Sequence, residues 1–155
     1  WNYDNYLVIS DYLKNKYSLN TVFLGKTNAN KKLQLESNIK NKKNIISMIN
    51  RTTLEQMLCI LNICEFYIGP DSGSLHMANM LKIPVIGLYA TSNPNRTGPY
   101  NNLQYTVNKY EEALKKFSNK TIANAKWGER VRDKNAMKLI TSDDVKLMIK
   151  KVLSS

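Results

Sequence analysis

Apolar positions along the chain follow two patterns that alternate from one end to the other. Apolar residues at helical spacing predict helices, and short runs of aliphatic and aromatic residues predict strands. The predicted helices cover residues 3–17, 30–40, 52 to about 64, 74–81, 110–117 and 145–153. The predicted strands cover residues 21–24, 45–49, 66–68 and 85–89. Because helices alternate with nearly apolar strands, we predict an α/β fold, a Rossmann-like parallel sheet with helices on both faces.

Details within these elements can also be predicted. One helix start has the sequence of a capping box, in which Thr52 and Glu55 bond each other's backbone. The segment Thr141-Ser-Asp-Asp144 is predicted to cap the last helix. The helix over residues 30–40 has a weak apolar side formed by Leu33, Leu35 and Ile39. Residues 119–135 are polar, and we expect a loop there.

Composition indicates one domain with a basic surface. The 155 residues carry a formal charge of +11. Residues 1–50 contribute +5, residues 51–100 contribute 0 and residues 101–155 contribute +6. Such a surface attracts nucleic acid, anionic lipid or phosphorylated glycan, or is simply solvated. Nucleic acid is the weakest of these, because the nine tyrosines are scattered and do not interleave with basic residues in a known binding pattern.

Several features indicate the cellular setting. Cys59 and Cys64 lack the spacing of a metal site or a disulfide framework, so we expect reduced thiols that face the core. We find neither a signal peptide nor a run of about 18 apolar residues, and we expect a cytoplasmic protein. The chain starts at Trp1 without a methionine, which indicates a processed or truncated piece.

Candidate chemistry concentrates in a turn between a predicted strand and a predicted helix. The strand ends at Gly69-Pro70, and the turn continues as Asp71-Ser72-Gly73-Ser74-Leu75-His76 with the chain's single histidine. Free backbone amides from Ser72 to Leu75, the helix dipole and the small Gly73 make this turn suitable for a phosphate. Asp71 would repel a phosphate, so we expect it to accept hydrogen bonds from nearby backbone amides or from a sugar hydroxyl. His76 is placed to donate to a phosphate or to fix the turn.

Simpler interpretations of the same turn were weighed. Asp-Ser-Gly is also an ordinary start of a helix, and a lone histidine is more often structural than functional. One Asp and one His do not make a metal site, and a Ser-His-Asp triad would crowd a single helical turn. A second polar loop, residues 90–100, follows the next predicted strand. We therefore expect two adjacent strand ends to face one crevice and to bind an anion there.

These residues resemble glycosyltransferase family 9, the ADP-heptose:lipopolysaccharide heptosyltransferases. The resemblance lies in the turn from Gly69 to Ala78, in the loop Gly87-Leu-Tyr-Ala-Thr-Ser-Asn-Pro94 and in Asn50-Arg-Thr-Thr-Leu-Glu55. It extends to Trp1 with the helix after it, and to Trp127-Gly-Glu-Arg-Val131, Ala136 to Ile140 and Asp144-Val145 in the tail. The last three segments are similar to the tail of the heptosyltransferase I branch.

The resemblance implies the GT-B architecture, of which this chain is similar to the C-terminal, nucleotide-sugar-binding half. It implies a single domain over residues 1–155, with a Rossmann-like core over about residues 1–108 and a helical tail over about residues 109–155. The N-terminal acceptor domain is absent from this chain. The implied function is donor binding by an inverting glycosyltransferase that transfers heptose from ADP-heptose to the lipopolysaccharide inner core.

The resemblance also implies which residues bind the donor. Asp71, Ser72, Gly73, Ser74, Leu75 and His76 would surround the diphosphate and sugar. Thr52 and Thr53 would meet the adenine, and Thr91 lies in the second donor-binding loop. No metal or cofactor is implied. The catalytic base is an acidic residue of the N-terminal domain, so this segment alone would be inactive.

Partners and alternatives follow from the same resemblance. The expected partners are a nucleotide-diphosphate sugar and the lipopolysaccharide core, with peripheral contact to the cytoplasmic face of the inner membrane and no role for nucleic acid. One alternative is another nucleotide-sugar enzyme of similar fold, such as a UDP-sugar transferase or an epimerase. The other is a non-catalytic remnant that binds a sugar nucleotide.

Overall fold

The computed structural model describes residues 1–154 and has the predicted α/β class, with helices alternating with parallel strands. Its helices, among the described residues, are α1 Tyr3–Tyr17, α2 Ala29–Ile39, α3 Leu54–Asn62, α4 Gly73–Met80, α5 Pro94–Thr97, α6 Tyr110–Ser118 and α7 Ser142–Leu153. Its strands are β1 Thr21–Phe23, β2 Ile45–Ser47, β3 Tyr67–Pro70, β4 Val85–Tyr89 and β5 Val107–Asn108. Two short 3-10 turns cover Leu103–Tyr105 and Ala136–Leu139.

The described chain forms two compact units. Residues 2–60 make up one unit, and Trp1 joins the residues from Leu61 onward in the other. In the unit of residues 2–60, β1 and β2 pair in parallel, with Thr21 opposite Ile45. Its core is formed by five buried apolar side chains and three partly buried ones packed against them. The five are Phe23, Leu35, Ile39, Ile45 and Ile49, and the three are Tyr3, Tyr6 and Leu7.

The other unit is built on a parallel sheet with the order β3-β4-β5. All five residues of β4 are buried, as expected for a central strand covered on both faces. Helix α4 packs against β3 and β4, and α7 packs against β4 and β5. The core draws on both helices and on α6; its fully buried side chains include Leu75, Ile86, Leu88, Leu114, Val145 and Ile149.

Some predictions from the sequence are confirmed residue by residue. Helix α1 and strand β4 have the predicted bounds. The capping box of α7 is present, because the Thr141 hydroxyl accepts from the Asp144 amide and the Asp144 carboxylate accepts from the Thr141 amide. Residues 119–135 contain no helix or strand, as predicted. In addition, the Trp1 indole donates to the carbonyl of Ile140 at 2.8 Å, which fixes the 3-10 turn before α7.

Other predictions are wrong, each for a local reason. The capping box of α3 uses Thr53 and Gln56 rather than Thr52 and Glu55. The Thr53 hydroxyl accepts from the Gln56 amide at 3.2 Å, and the Gln56 side chain accepts from the Thr53 amide at 2.9 Å. Leu33 is 65% exposed, because Leu35 and Ile39 alone face the core from α2. The thiol-bearing Cys59 is exposed rather than core-facing.

Membrane-spanning helices were also sought. Within residues 1–154, none of the helices combines the length and the apolar character that crossing a bilayer requires.

Candidate functional site

The carboxyl ends of β3 and β4 bring two polar loops together. The strands are parallel neighbours, with Pro70 opposite Leu88, so both chains leave the sheet at the same edge. Asp71 follows β3 directly, and the loop after β4 leads into α5. From the end of α5, the Thr97 hydroxyl donates to the Asp71 carboxylate at 3.0 Å. This edge of the sheet is the place where ligands of open parallel sheets bind.

The first turn of α4 leaves its backbone amides available to a ligand. Ser72 is the N-cap residue, with extended backbone, but its side chain makes no capping hydrogen bond. The first helical bond of α4 runs from the His76 amide to the Ser72 carbonyl at 3.3 Å. The amides of Gly73, Ser74 and Leu75 precede that bond and therefore have no partner within the helix. Three consecutive amides at the positive end of a helix dipole are chemically suited to accept an anion.

Gly73 leaves open space at this helix end. A Cβ built on Gly73 would meet no atom within 4 Å among the described residues. Its φ lies outside the left-handed range, so the backbone itself does not require glycine. The residue is exposed. Gly73 therefore keeps the approach to the amides clear of a side chain rather than satisfying the geometry of the turn.

The hydroxyl groups of the turn are fixed by a short chain of hydrogen bonds. Tyr67 of β3 shares a hydrogen bond of 2.8 Å with Ser74, and Ser74 shares one of 3.1 Å with Ser72. The Tyr67 ring lies over Gly69, where a Cβ would overlap it. This arrangement presents the Ser72 and Ser74 hydroxyls beside the free amides, so they add donors to the same anion site.

Asp71 is held by side chains and not by the backbone amides that the sequence suggested. Its side chain is only 11% exposed. One carboxylate oxygen, Oδ2, accepts from Thr97 and from Arg130 Nη2 at 3.1 Å. The other, Oδ1, lies 3.4 Å from Nε2 of His76. Hydrogen bonds from a charged partner are short and strong, so this set of donors fixes the carboxylate in one orientation.

Tyr89 of β4 supports the hydrogen bond between Thr97 and Asp71. Tyr89, at the end of β4, is fully buried and donates its hydroxyl to the Thr97 carbonyl at 2.7 Å. Thr97 is thus bound through its carbonyl on one side and its hydroxyl on the other. Burial raises the pKa of the Tyr89 hydroxyl far above its usual value, and the negative charge of Asp71 adds to the effect. The Tyr89 hydroxyl therefore stays protonated and acts as a permanent donor.

The remaining residues predicted for the site occupy different environments. His76 is 44% exposed on α4, on the side that faces Asp71. Leu75 is fully buried, so its side chain belongs to the core and only its backbone amide is open to a ligand. Thr91 follows β4, and its carbonyl accepts from the Val131 amide at 3.0 Å. Thr52 and Thr53 lie in the unit of residues 2–60, after β2, where Thr53 caps α3.

Two contributors to the Asp71 environment were missed from the sequence. Thr97 belongs to a helix of a single turn, and Arg130 lies 59 positions after Asp71 along the chain. The only signal for Arg130 was its place in the segment Trp127-Gly-Glu-Arg-Val131, to which no role was assigned. In the unit of residues 2–60, Asn50 was also missed. Its side chain exchanges two hydrogen bonds with the Thr27 backbone, at 2.9 and 2.8 Å, and fixes the loop after β1.

The chemistry that this arrangement offers is recognition of an anion with attached hydroxyl groups. The α4 amides and the serine hydroxyls are donors for phosphate oxygens, and the Asp71 carboxylate is an acceptor for a hydroxyl. Over residues 1–154, we find no group of three or more His, Cys, Asp and Glu side chains that could hold a metal ion.

Comparison with known proteins places these features in a family context. The sequence model of glycosyltransferase family 9 (heptosyltransferase) matches residues 1–126. The lipopolysaccharide core heptosyltransferase OpsX of Haemophilus influenzae is 37% identical over 106 residues, which are 68% of this chain and 30% of that protein. The crystal structure of the glycosyl transferase family 9 from Veillonella parvula DSM 2008 matches the whole chain with a TM-score of 0.70 at 20% identity. This chain covers 42% of that structure, and at 20% identity the match shows a likeness of fold. The chain therefore spans between about a third and a half of the length of these proteins.

Proposed function

Because the chain belongs to glycosyltransferase family 9, we propose that it is the nucleotide-sugar-binding domain of an inverting glycosyltransferase. The proposed reaction transfers heptose from ADP-heptose to the inner core of lipopolysaccharide. One observation carries the proposal: α4 begins with three uncapped amides and an unobstructed Gly73, in the segment that the family model matches. A donor diphosphate has the charge and size for such a helix end.

The residues have distinct roles in this proposal. The amides of Gly73, Ser74 and Leu75, with the hydroxyls of Ser72 and Ser74, bind the diphosphate and stabilise the charge that develops on it as it leaves. Asp71 accepts from a sugar hydroxyl, and His76 lines the same side of the turn. Thr52 and Thr53 contact the adenine, and Thr91 borders the sugar.

The transfer itself needs a group that these residues do not supply. The acceptor hydroxyl oxygen attacks the anomeric carbon of the heptose, the bond from that carbon to the diphosphate oxygen breaks, and ADP leaves with the bonding electrons. A base must take the proton of the attacking hydroxyl. We assign this base to an acidic residue of the N-terminal domain in the complete enzyme, so the 155-residue chain binds the donor but does not transfer the sugar.

Calorimetry with ADP and UDP tests the proposal. The chain should bind ADP more tightly than UDP. Tighter binding of UDP would favour a UDP-sugar enzyme of the same fold, and binding of neither would refute a donor site at this turn. Incubation with ADP-heptose and a lipopolysaccharide acceptor should give no product with this chain alone. Product formed by the chain alone would overturn the assignment of the base.

The basic surface supports a proposed location at the cytoplasmic face of the inner membrane. Residues 119–135 carry two exposed apolar side chains, Ile122 at 42% and Trp127 at 67%. They lie among exposed basic residues, which include Lys126, Arg132 and Lys134. Aromatic and basic side chains together are typical of contact with an anionic lipid surface.

Vesicle sedimentation tests this location. The chain should sediment with vesicles that contain phosphatidylglycerol and be released by 0.5 M salt, a condition chosen because surface attraction is screened within about 10 Å already at 0.1 M. Trp127→Ser should reduce the bound fraction, whereas Met80→Ser, which removes another exposed apolar side chain, should not. A bound fraction that salt and Trp127→Ser both leave unchanged would refute the membrane contact.

A further inference from the structure

The Asp71 carboxylate poses an electrostatic problem for the proposed donor site. It follows β3 immediately before the free amides of α4, and its side chain is nearly buried, with 11% exposure. A diphosphate bound to those amides carries negative charge of its own. Water screens a buried carboxylate poorly, so the two charges would repel each other strongly. A site that binds a diphosphate beside Asp71 therefore needs a cationic side chain next to the carboxylate to balance its charge.

Of the donors around Asp71, only Arg130 carries a charge that is independent of pH. Thr97 donates from a neutral hydroxyl, and His76 is charged only when protonated. Arg130 reaches Asp71 Oδ2 with Nη2 at 3.1 Å, and a guanidinium is a permanent cation in proteins. Arg130 is 54% exposed, so its remaining N–H groups are in contact with solvent.

The direction of Arg130 is set by the backbone on both sides of it. The carbonyl of Glu129 accepts from the hydroxyl of Tyr110, a buried residue at the start of α6, at 2.8 Å. Val131 is buried, with 2% exposure, and its amide donates to the Thr91 carbonyl at 3.0 Å. The segment around Arg130 is thus attached to the core and to the loop after β4. The anchored backbone keeps the Arg130 side chain within reach of Asp71, and the 3.1 Å contact is made from there.

We propose that Arg130 is a positioning residue of the donor site, which neutralises Asp71 so that a nucleoside diphosphate can bind at the start of α4. The inference rests on the proposed function and extends it to a residue outside residues 1–126, the part matched by the family model. With its charge balanced and its Oδ2 occupied by Thr97 and Arg130, Asp71 has Oδ1, which lies 3.4 Å from His76 Nε2 and has a second lone pair, as an acceptor for a sugar hydroxyl. Arg130 acts through Asp71 and not by contact with the phosphates.

A double-mutant cycle on ADP affinity tests this role. The variants are Arg130→Met, Asp71→Asn and the two combined, measured by calorimetry with ADP. Arg130→Met alone should weaken ADP binding about tenfold, because it leaves Asp71 uncompensated. In the Asp71→Asn background, the same change should cost about twofold or less, since no charge remains to be neutralised. Arg130→Lys, which keeps the charge, should restore most of the affinity.

Controls separate the role of Arg130 from damage to the fold. Lys138→Met removes an exposed basic side chain eight positions away and the same amount of charge, and it should leave ADP affinity unchanged. Adenosine, which carries no phosphate, should bind the parent chain and Arg130→Met equally. Thermal unfolding of each variant shows whether it is folded at the temperature of the binding experiment. If Arg130→Met is not folded at that temperature, the ADP affinity of Arg130→Lys is compared with that of the parent instead, and a tenfold loss in Arg130→Lys overturns the inference.

The outcomes are distinct. If Arg130→Met loses the same ADP affinity in the parent chain and in the Asp71→Asn background, the inference is overturned. Arg130 would then contact the ligand itself or support the fold. Unchanged ADP affinity in Arg130→Met, or a tenfold loss in Arg130→Lys, would also overturn it. In these cases the parent chain still binds ADP and the proposed function stands. If the parent binds neither ADP nor UDP, the proposed function fails, and the role of Arg130 fails with it.

Discussion

Replacing Gly73 with alanine adds one methyl group at the first residue of α4. The methyl would enter space that is open to at least 4 Å in the described residues, and the backbone there is already in a conformation that alanine adopts. The substitution thus changes the approach to the α4 amides without disturbing a contact within the protein. It separates a glycine kept for a ligand from a glycine kept for the fold.

If Gly73 is kept for a ligand, alanine should raise the stability of the protein and weaken ADP binding. If it is kept for the fold, alanine should lower the stability. Glycine to alanine at a compatible position stabilises a protein by about 0.4–1 kcal/mol, because the unfolded chain loses freedom. For a chain of this size, that corresponds to a rise in Tm of about 1–4 °C. A phosphate displaced from one amide loses a charge-assisted hydrogen bond of about 1.5–3 kcal/mol, so ADP affinity should fall about 10-fold to 100-fold.

Calorimetry with ADP and thermal unfolding of the same protein preparation check both effects. Ser142→Ala is the matched control, because it places alanine at the first position of α7, a helix with its own cap at Thr141. It should not change ADP affinity. A raised Tm with unchanged affinity in Gly73→Ala would refute the placement of the diphosphate at α4. A lowered Tm would show that the space around Gly73 is not open.

Three further substitutions test the network around the turn and the cap of α7. Asp71→Asn should weaken ADP-heptose binding about tenfold in calorimetry, because one of the two acceptor oxygens becomes an NH2 group, which cannot accept from a sugar hydroxyl while the other oxygen accepts from Thr97; equal affinity would count against a role for the carboxylate. Tyr89→Phe leaves the Thr97 carbonyl unpaired and should cost about 1–3 kcal/mol in urea unfolding at pH 7. Since burial raises the pKa of Tyr89 in the folded chain, the parent should lose this advantage as the pH rises above 10.0, the usual value; a constant difference would refute the raised pKa. Burial alone would raise the pKa of Asp144, but hydrogen bonds from Thr141 together with the charge and hydrogen bond of Lys109 hold that pKa below its usual value of 3.8. Asp144→Asn should therefore cost about 1 kcal/mol at neutral pH, with the difference from the parent shrinking as the pH falls below 3.8 in acid unfolding curves.

The sequence predicts those parts of the fold in which a hydrophobic pattern is long enough to be unambiguous. Helix α1 has a buried stripe over fifteen residues, and β4 is a continuous apolar run, so both bounds were predicted correctly. Helix α5 is a single turn of four residues and is too short to show a period. The capping box of α3 was placed one residue too early because Thr52 and Thr53 are adjacent, and each has a suitable partner three positions later. Only the backbone geometry selects Thr53.

The candidate site divides in a similar way between local and distant residues. The turn from Asp71 to His76 is continuous in sequence, so a strand, a glycine and a helix start predict its geometry directly. The donors that hold Asp71 come from elsewhere. The polar loop over residues 90–100 was expected to face the same crevice, but nothing in a local pattern singles out Thr97 within it or indicates that Arg130 reaches Asp71. Of the two alternatives for Asp71, the one in which backbone amides hold it was wrong because it used only the neighbours in sequence, and the one in which it accepts from a sugar hydroxyl stays a prediction. Contacts across long separations depend on the tertiary fold and leave no periodic signal.

The pairing of Asp71 with Arg130 also determines when the site forms during synthesis. The two residues are separated by 59 positions, so at about 5–20 residues per second the ribosome adds Arg130 about 3–12 s after Asp71. Helix α4 and strand β4 are synthesised in the first part of this interval, and the turn between β3 and α4 then carries a carboxylate without its cation. A nascent chain thus has the motif before it has the balanced charge. We expect the newly made protein to bind a diphosphate only once the segment around Arg130 has left the ribosome and packed against the loop after β4.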